Sequence, residues 1–141
     1  MSNKHRKKIL FICTGNSARS VMAEVLVNEL SEGRYVAFSA GANPSGTINP
    51  LTIETLKKNK HNTDGLRSKP IDEFVTQKID IVITVCDHAR EWCPVWPKKT
   101  KVLHWGFEDP ADFEGGEEEK AIFFNSVYLQ IRIRISEFLQ K

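Results

Sequence analysis

"ILFICTGNSARSVMAE", residues 9–24, runs from an apolar stretch through a short polar loop into a helical pattern. The stretch Lys8 to Cys13 has the length and continuity of a strand buried on both faces. From Ser20 to Leu30 the apolar positions Met22, Val25, Leu26 and Leu30 recur at helical spacing. Cys13 therefore stands where a strand gives way to a helix, with Arg19 at the helix entrance.

The same alternation continues along the chain. Arg34 to Ala40 reads as a second strand closed by Gly41, and Asn49 followed by Pro50 is an N-cap with proline at the first helical position, opening a helix to about Lys58. "IDIVITVC" (79–86) and "TKVLHWGF" (100–107) are the third and fourth strands. In the C-terminal segment Phe124, Val127, Ile131, Ile135 and Phe138 keep helical spacing. "QIRIRIS" (130–136) alone alternates like an edge strand, but the longer period assigns the segment to a helix. Beyond the acidic turn "EGGEEE" (114–119) there is no low-complexity segment, and no internal repeat.

Strands alternating with helices imply βαβ units. The expected fold is therefore α/β: one domain over residues 1–141, with a four-stranded parallel sheet and helices on both faces. Ligands of such sheets bind beyond the carboxyl ends of the strands. Cys13 ends the first strand, Cys86 ends the third and Asp109 follows the fourth, so all three are expected on one rim.

Composition sets the bounds. With 141 residues, 40% of them hydrophobic, the chain can bury one sizeable core. A net charge of +2 demands neither nucleic acid nor an anionic membrane as partner. The basic run Asn3 to Lys8 reads as a solvated terminus. No apolar segment reaches the roughly 20 residues of a membrane span, and the N-terminus lacks the apolar core of a secretory signal. The expectation is a cytoplasmic monomer whose three cysteines are reduced thiols rather than a disulfide framework.

Residues 14–19 can curl so that successive backbone N–H groups converge on a tetrahedral anion, reinforced by the helix dipole. Arg19 offers a planar fork for two of that anion's oxygens. A cysteine at the mouth of this nest is expected to have its thiolate favoured, and Ser20 is placed to donate a hydrogen bond to the sulfur. The alternative for Cys13 is a small buried residue ending a strand. Glycine, arginine and serine at these spacings weigh against it.

"CTGNSARS" (13–20) has the C-x5-R-S form of the low-molecular-weight protein tyrosine phosphatase family, and the chain resembles that family over nearly its whole length. "SAG" (39–41), "VITVC" (82–86) and "HWGFEDPAD" (104–112) are most similar to the arsenate reductases that share the phosphatase fold. The resemblance implies a nucleophilic Cys13 and an oxyanion loop formed by Thr14, Gly15, Asn16, Ser17, Ala18, Arg19 and Ser20. It makes Asp109 the general acid, although Asp109-Pro110 is also an ordinary turn signal. It makes Cys86 and Cys93 a relay that carries oxidation away from Cys13.

The implied substrate is arsenate. An external dithiol, thioredoxin or glutaredoxin, completes the cycle, and no cofactor is needed. Asn16, Glu24 and Ser39 match positions that support the loop or hold a monovalent cation. Lys69 stands where cation-binding relatives carry an acid, so its ammonium is expected to replace the cation. Ala18 departs from relatives with a cysteine in the loop. The tyrosine pair that phosphatases of the family tend to carry after Asp-Pro is absent, Ala111 and Asp112 standing there instead.

Two other readings stay open, and a zinc site is weighed and set aside. A phosphomonoesterase would need Cys13 alone, with Cys86 and Cys93 protecting it or reporting its oxidation. A metalloid-sensing or oxyanion-binding module would keep the loop without turnover. A zinc site at Cys86, His88 and Cys93 lacks both a usual spacing and a fourth ligand. His5, His61 and His104 read as isolated surface or packing residues. Within a helix Cys86 and Cys93 would lie about 10 Å apart, whereas a disulfide needs Cα atoms about 4.4–6.8 Å apart, so the segment is expected to loop out on oxidation.

Overall fold

The computed structural model describes residues 6–86 and 95–140. β1 (Lys7–Cys13) leads through the polar loop into α1 (Arg19–Leu30), which is followed by β2 (Tyr35–Gly41) and α2 (Pro50–Lys58). β3 (Ile81–Thr84), β4 (Lys101–His104) and α3 (Glu117–Leu139) complete the described elements, with short 3₁₀ turns at Ile71–Glu73 and Pro110–Asp112. The strands form one parallel sheet in the order β2-β1-β3-β4.

This order makes β1 the pivot. The chain runs outward to β2 on one side of β1 and returns to β3 on the other, so the direction in which strands are added reverses between β1 and β3. The crevice at such a switch point lies beyond the carboxyl ends of those two strands. Cys13 closes β1, and Cys86 follows β3 by two residues.

The run Ile9 to Ile12 is continuously apolar because the sheet is covered on both sides, and all four residues are fully buried. Phe11 reaches the Trp105 ring (6.1 Å between centroids), which in turn meets Phe138 of α3 edge-on at 5.6 Å. Leu10 points the other way, in register with Phe38, whose ring packs on Phe74 at 5.4 Å. α1 packs against β1, β2 and α3.

β3 and β4 are shorter than the apolar runs that announce them. Regular pairing stops at Thr84 and His104, but the backbone continues extended through single hydrogen bonds: Val85 N–H to Ile12 C=O, Trp105 N–H to Thr84 C=O and Phe107 N–H to Val85 C=O. These last extended residues carry Cys86 and Phe107 onto the rim.

Asn49 caps α2 as expected, its side chain accepting from Leu51 N–H at 2.9 Å. "QIRIRIS" is helical, as the longer period required. Phe124, Val127, Ile131 and Ile135 are fully buried, while Ile133 is exposed, so the alternation belongs to no sheet. At the head of α3 the Glu119 carboxylate accepts from Gly116 N–H at 2.9 Å, and Glu117, Glu118 and Glu119 place negative charge at the positive end of the helix dipole. Among the described residues no helix is long and apolar enough to cross a membrane.

Candidate active site

The loop after β1 is held open from outside. The carbonyls of Cys13, Thr14, Gly15 and Ser17 accept from the N–H groups of Ala42, Asn43, Ser45 and Asn49 respectively. Two hydroxyls add to this: Ser68 donates to Gly15 C=O at 3.0 Å and Thr52 to Ser17 C=O at 2.7 Å. Across a trans peptide the carbonyl and the next N–H point opposite ways. Tying the carbonyls outward therefore turns the N–H groups of Thr14, Gly15, Asn16 and Ala18 inward, and Asn16 N–H indeed lies 3.2 Å from Cys13 Sγ. This is a concave donor array fit for a tetrahedral oxyanion.

Asn16 is the pivot of the loop. Its φ of 49° lies in the left-handed region, which asparagine tolerates better than most side chains. Its amide donates to Ser20 Oγ at 2.8 Å and its carbonyl oxygen accepts from Lys69 N–H at 2.9 Å. Gly41 completes the scaffold from β2. A Cβ there would stand 2.7 Å from Thr14 O and 3.0 Å from Asn16 Cβ, so only glycine lets the strand approach the loop.

Cys13 Sγ is 2.8 Å from Ser20 Oγ, the contact expected from the sequence. The expected thiolate preference is reversed in this arrangement. Burial pushes the Cys13 thiol up, and the hydrogen bonds from Ser20 and the charge of Arg19 pull it down by less. The physical reason is geometric: the cysteine is 2% exposed, and the Arg19 fork is occupied elsewhere. Nη1 donates to Phe107 C=O at 2.9 Å, and Nη2 stands 3.3 Å from the Asp109 carboxylate.

Asp109 forms the turn that its sequence allowed and stands beside Arg19. One oxygen accepts from Ala111 N–H at 3.0 Å and starts the 3₁₀ turn, while the other meets Arg19. Cys86 is buried with its Sγ 3.3 Å from Thr14 Oγ1, so a second thiol adjoins the loop. Thr14, Arg19, Cys86, Phe107 and Asp109 line one cleft of about 640 Å³. Cys93 and His88 lie outside the described residues, and with them the third thiol, the zinc alternative and the looping segment. Among the described residues no three His, Cys, Asp or Glu side chains converge as metal ligands would.

Behind the loop, Ser39 Oγ donates to Glu24 Oε1 at 2.5 Å, and Lys69 Nζ lies 3.5 Å from Ser39 Oγ and 3.9 Å from Glu24 Oε1. Burial raises the Glu24 carboxyl, against the pull of Ser39 and Lys69, and lowers the Lys69 ammonium, against the pull of Glu24. The four expected loop-support residues are thus brought together. Thr52 and Ser68 belong to the same scaffold but have no local signature in the sequence, and Gly41, the end of the "SAG" motif, shows there no sign of its contact with the loop. His61 is not isolated: buried, it bridges Glu29 through Nδ1 at 2.8 Å and the Tyr128 hydroxyl through Nε2 at 2.5 Å. His104 Nδ1 meets Thr84 Oγ1 at 2.7 Å.

A doubly covered parallel sheet carrying a C-x5-R loop at its switch point defines a class, and the chain belongs to it. It is a member of the low molecular weight phosphotyrosine protein phosphatase family, whose sequence profile matches residues 8–141. Within that class it is similar to an arsenate reductase of Halalkalibacterium halodurans, 38% identical over 136 residues that make up 96% of this chain and 97% of the relative. Among solved structures, the arsenate reductase from Archaeoglobus fulgidus superposes with a TM-score of 0.76 at 27% identity, over 94% of this chain and 99% of that one. The thioredoxin-dependent arsenate reductase of Corynebacterium glutamicum gives 0.69 at 28% identity, over 95% of this chain and 62% of the other.

Proposed function

We propose that the protein reduces arsenate to arsenite through a relay of Cys13, Cys86 and Cys93. The observation that carries this reading is the second buried thiol at the oxyanion loop, Cys86 Sγ against Thr14 Oγ1. Hydrolysis of a phosphomonoester needs one thiol, whereas reduction needs a second within reach of the first. The relatives named arsenate reductase support the same choice.

In this mechanism the oxyanion displaces Asp109 from Arg19 and binds to the inward N–H groups. Cys13 gives up its thiol proton to Asp109 as its sulfur attacks arsenic, an arsenic–hydroxyl bond breaks, and Asp109 passes that proton to the departing hydroxyl, which leaves as water. Arg19 and the loop N–H groups hold the charge that develops. Cys86 thiolate then attacks Cys13 sulfur. The sulfur–arsenic bond breaks with its electron pair left on arsenic, which departs as arsenite, and Cys13 and Cys86 are left disulfide-bonded. Cys93 attacks Cys86 sulfur and releases Cys13 as thiolate, and an external dithiol reduces the Cys86–Cys93 bond. Thioredoxin is the preferred donor, in line with the thioredoxin-dependent relative, and glutaredoxin is the alternative.

Asn16, Glu24, Ser39 and Lys69 hold the loop from behind, the Lys69 ammonium standing in for a monovalent cation. The protein acts as a cytoplasmic monomer without a cofactor. A second reading, phosphomonoester hydrolysis, draws on Cys13, Arg19 and Asp109 alone and accounts for residual phosphatase activity. The test is arsenate-dependent NADPH oxidation in the presence of thioredoxin and thioredoxin reductase. The relay consumes NADPH only when arsenate and this protein are both present, whereas aryl phosphate turnover without arsenate-driven NADPH consumption supports the phosphatase.

A further inference from the structure

Among the described residues, the wall of the cleft outside the loop is acidic. Among the described residues that line it, Glu108, Asp109 and Asp112 supply three carboxylates and Arg19 the single cation. That cation is already held by Phe107 C=O and Asp109. Asp109 is itself engaged through both oxygens, by Ala111 N–H and by Arg19. Glu108 and Asp112 are exposed at the same mouth, and among the described residues neither carboxylate takes a hydrogen bond or an ion pair. Among the described residues no cation pairs with them, and they line the cleft that Thr14 and Arg19 share.

A tetrahedral oxyanion on the loop has its own charge among inward N–H groups. Thr14, Arg19 and Cys86 share their cleft with residues 106–109 and Asp112, so a substituent on the outward oxygen of a bound oxyanion would meet these carboxylates. A bare oxyanion therefore leaves the acidic mouth empty, while an ester fills it. Like charges repel through solvent at this range with an energy that is modest but depends on sign.

We propose that Glu108 and Asp112 are specificity-determining residues that form a charge filter at the mouth of the cleft. They admit the bare oxyanion and disfavour esters that carry further negative charge, such as nucleotides or acidic phosphopeptides. The inference deepens the functional reading above and rests on the Cys13–Arg19 loop being the oxyanion site.

The test uses phenylphosphonate, 4-carboxyphenylphosphonate and 4-(aminomethyl)phenylphosphonate, which share a tetrahedral head and a ring and differ in the charge of the tail. Each is titrated for its protection of Cys13 against iodoacetamide in the reduced protein, read by peptide mass spectrometry, so no turnover is required. The expected order of affinity is aminomethyl over unsubstituted over carboxy, each step roughly three- to tenfold. In the double variant Glu108→Gln, Asp112→Asn the three are expected to fall within about twofold of one another. Raising the ionic strength to about 1 M, where the Debye length is about 3 Å, should compress the order in the unmodified protein. Glu32→Gln, in the turn between α1 and β2, should leave it intact.

Equal affinities in the unmodified protein, or an order that survives the double variant, would overturn the filter. If arsenate-driven NADPH oxidation persists in that case, the functional reading stands without it. If neither the three compounds nor inorganic phosphate protects Cys13, the loop is not the oxyanion site and both inferences fall; protection by phosphate alone overturns the charge filter and leaves the loop reading standing.

Discussion

Burial of Cys13 works against the thiolate that attack on an oxyanion requires, and Ser20 and Arg19 only partly offset it. The consequence for pH follows from the sign of the shift. A thiol whose folded value is raised above its ordinary 9.0 contributes stability that is complete below pH 9 and is lost as pH rises through the folded value. Alkylation of Cys13 is thus expected to keep accelerating with pH past 9, and the urea midpoint of the native protein should fall more steeply at alkaline pH than that of Cys13→Ser. A plateau in alkylation below about pH 8 would contradict this.

Asp109 gives a second residue-scale expectation. Asp109→Asn removes the acid, which typically contributes about 10²–10⁴-fold. It also removes the negative charge that competes for Arg19 at 3.3 Å. Hydrolysis of an aryl phosphate should slow by about 10²-fold or more while phosphate, which does not react, binds more tightly. A merely structural role in the turn would weaken both. Cys13, Arg19, Ser20 and Asp109 were legible from the sequence because three of them share one continuous loop and the fourth follows a strand end. The state of the thiol was not, since it depends on burial and on where Arg19 points.

At the scale of elements, the loop is shaped by its surroundings as much as by its own residues. β2 presses Gly41 against Thr14 O and Asn16, and the chain after β2 ties the loop carbonyls outward. Gly41→Ala should push the loop out of shape with the sheet left standing. Circular dichroism is expected to stay native, while phosphate protection of Cys13 and turnover of arsenate fall by about 10²-fold or more, the cost of misplacing catalytic groups by about 1 Å. Near-normal phosphate protection in a folded Gly41→Ala protein would show that the loop holds its form unaided. Sequence reading found Gly41 as the close of a strand and as the end of the "SAG" motif, but not its contact with the loop, because its partner lies on another strand. Thr52 and Ser68 were missed for the same reason. β3 and β4 were placed correctly but drawn too long, since an apolar run does not reveal where pairing stops and single hydrogen bonds continue.

For the whole molecule, alternation of strands and helices foretold a parallel sheet and a common rim, but not the order β2-β1-β3-β4. That order brings Cys86 to Thr14, 72 residues apart in sequence, because β1 and β3 are neighbours and both end at the switch point. The central claim is that Cys13 and Cys86 are successive thiols in one reaction. A single turnover of Cys93→Ser with arsenate tests it most directly, with arsenite counted and cysteines mapped in the quenched protein. The account predicts roughly one arsenite per chain and then arrest with Cys13 bonded to Cys86, since the third thiol serves only to regenerate the first. Sustained turnover, or arsenite released with Cys13 and Cys86 both left as free thiols, would contradict it.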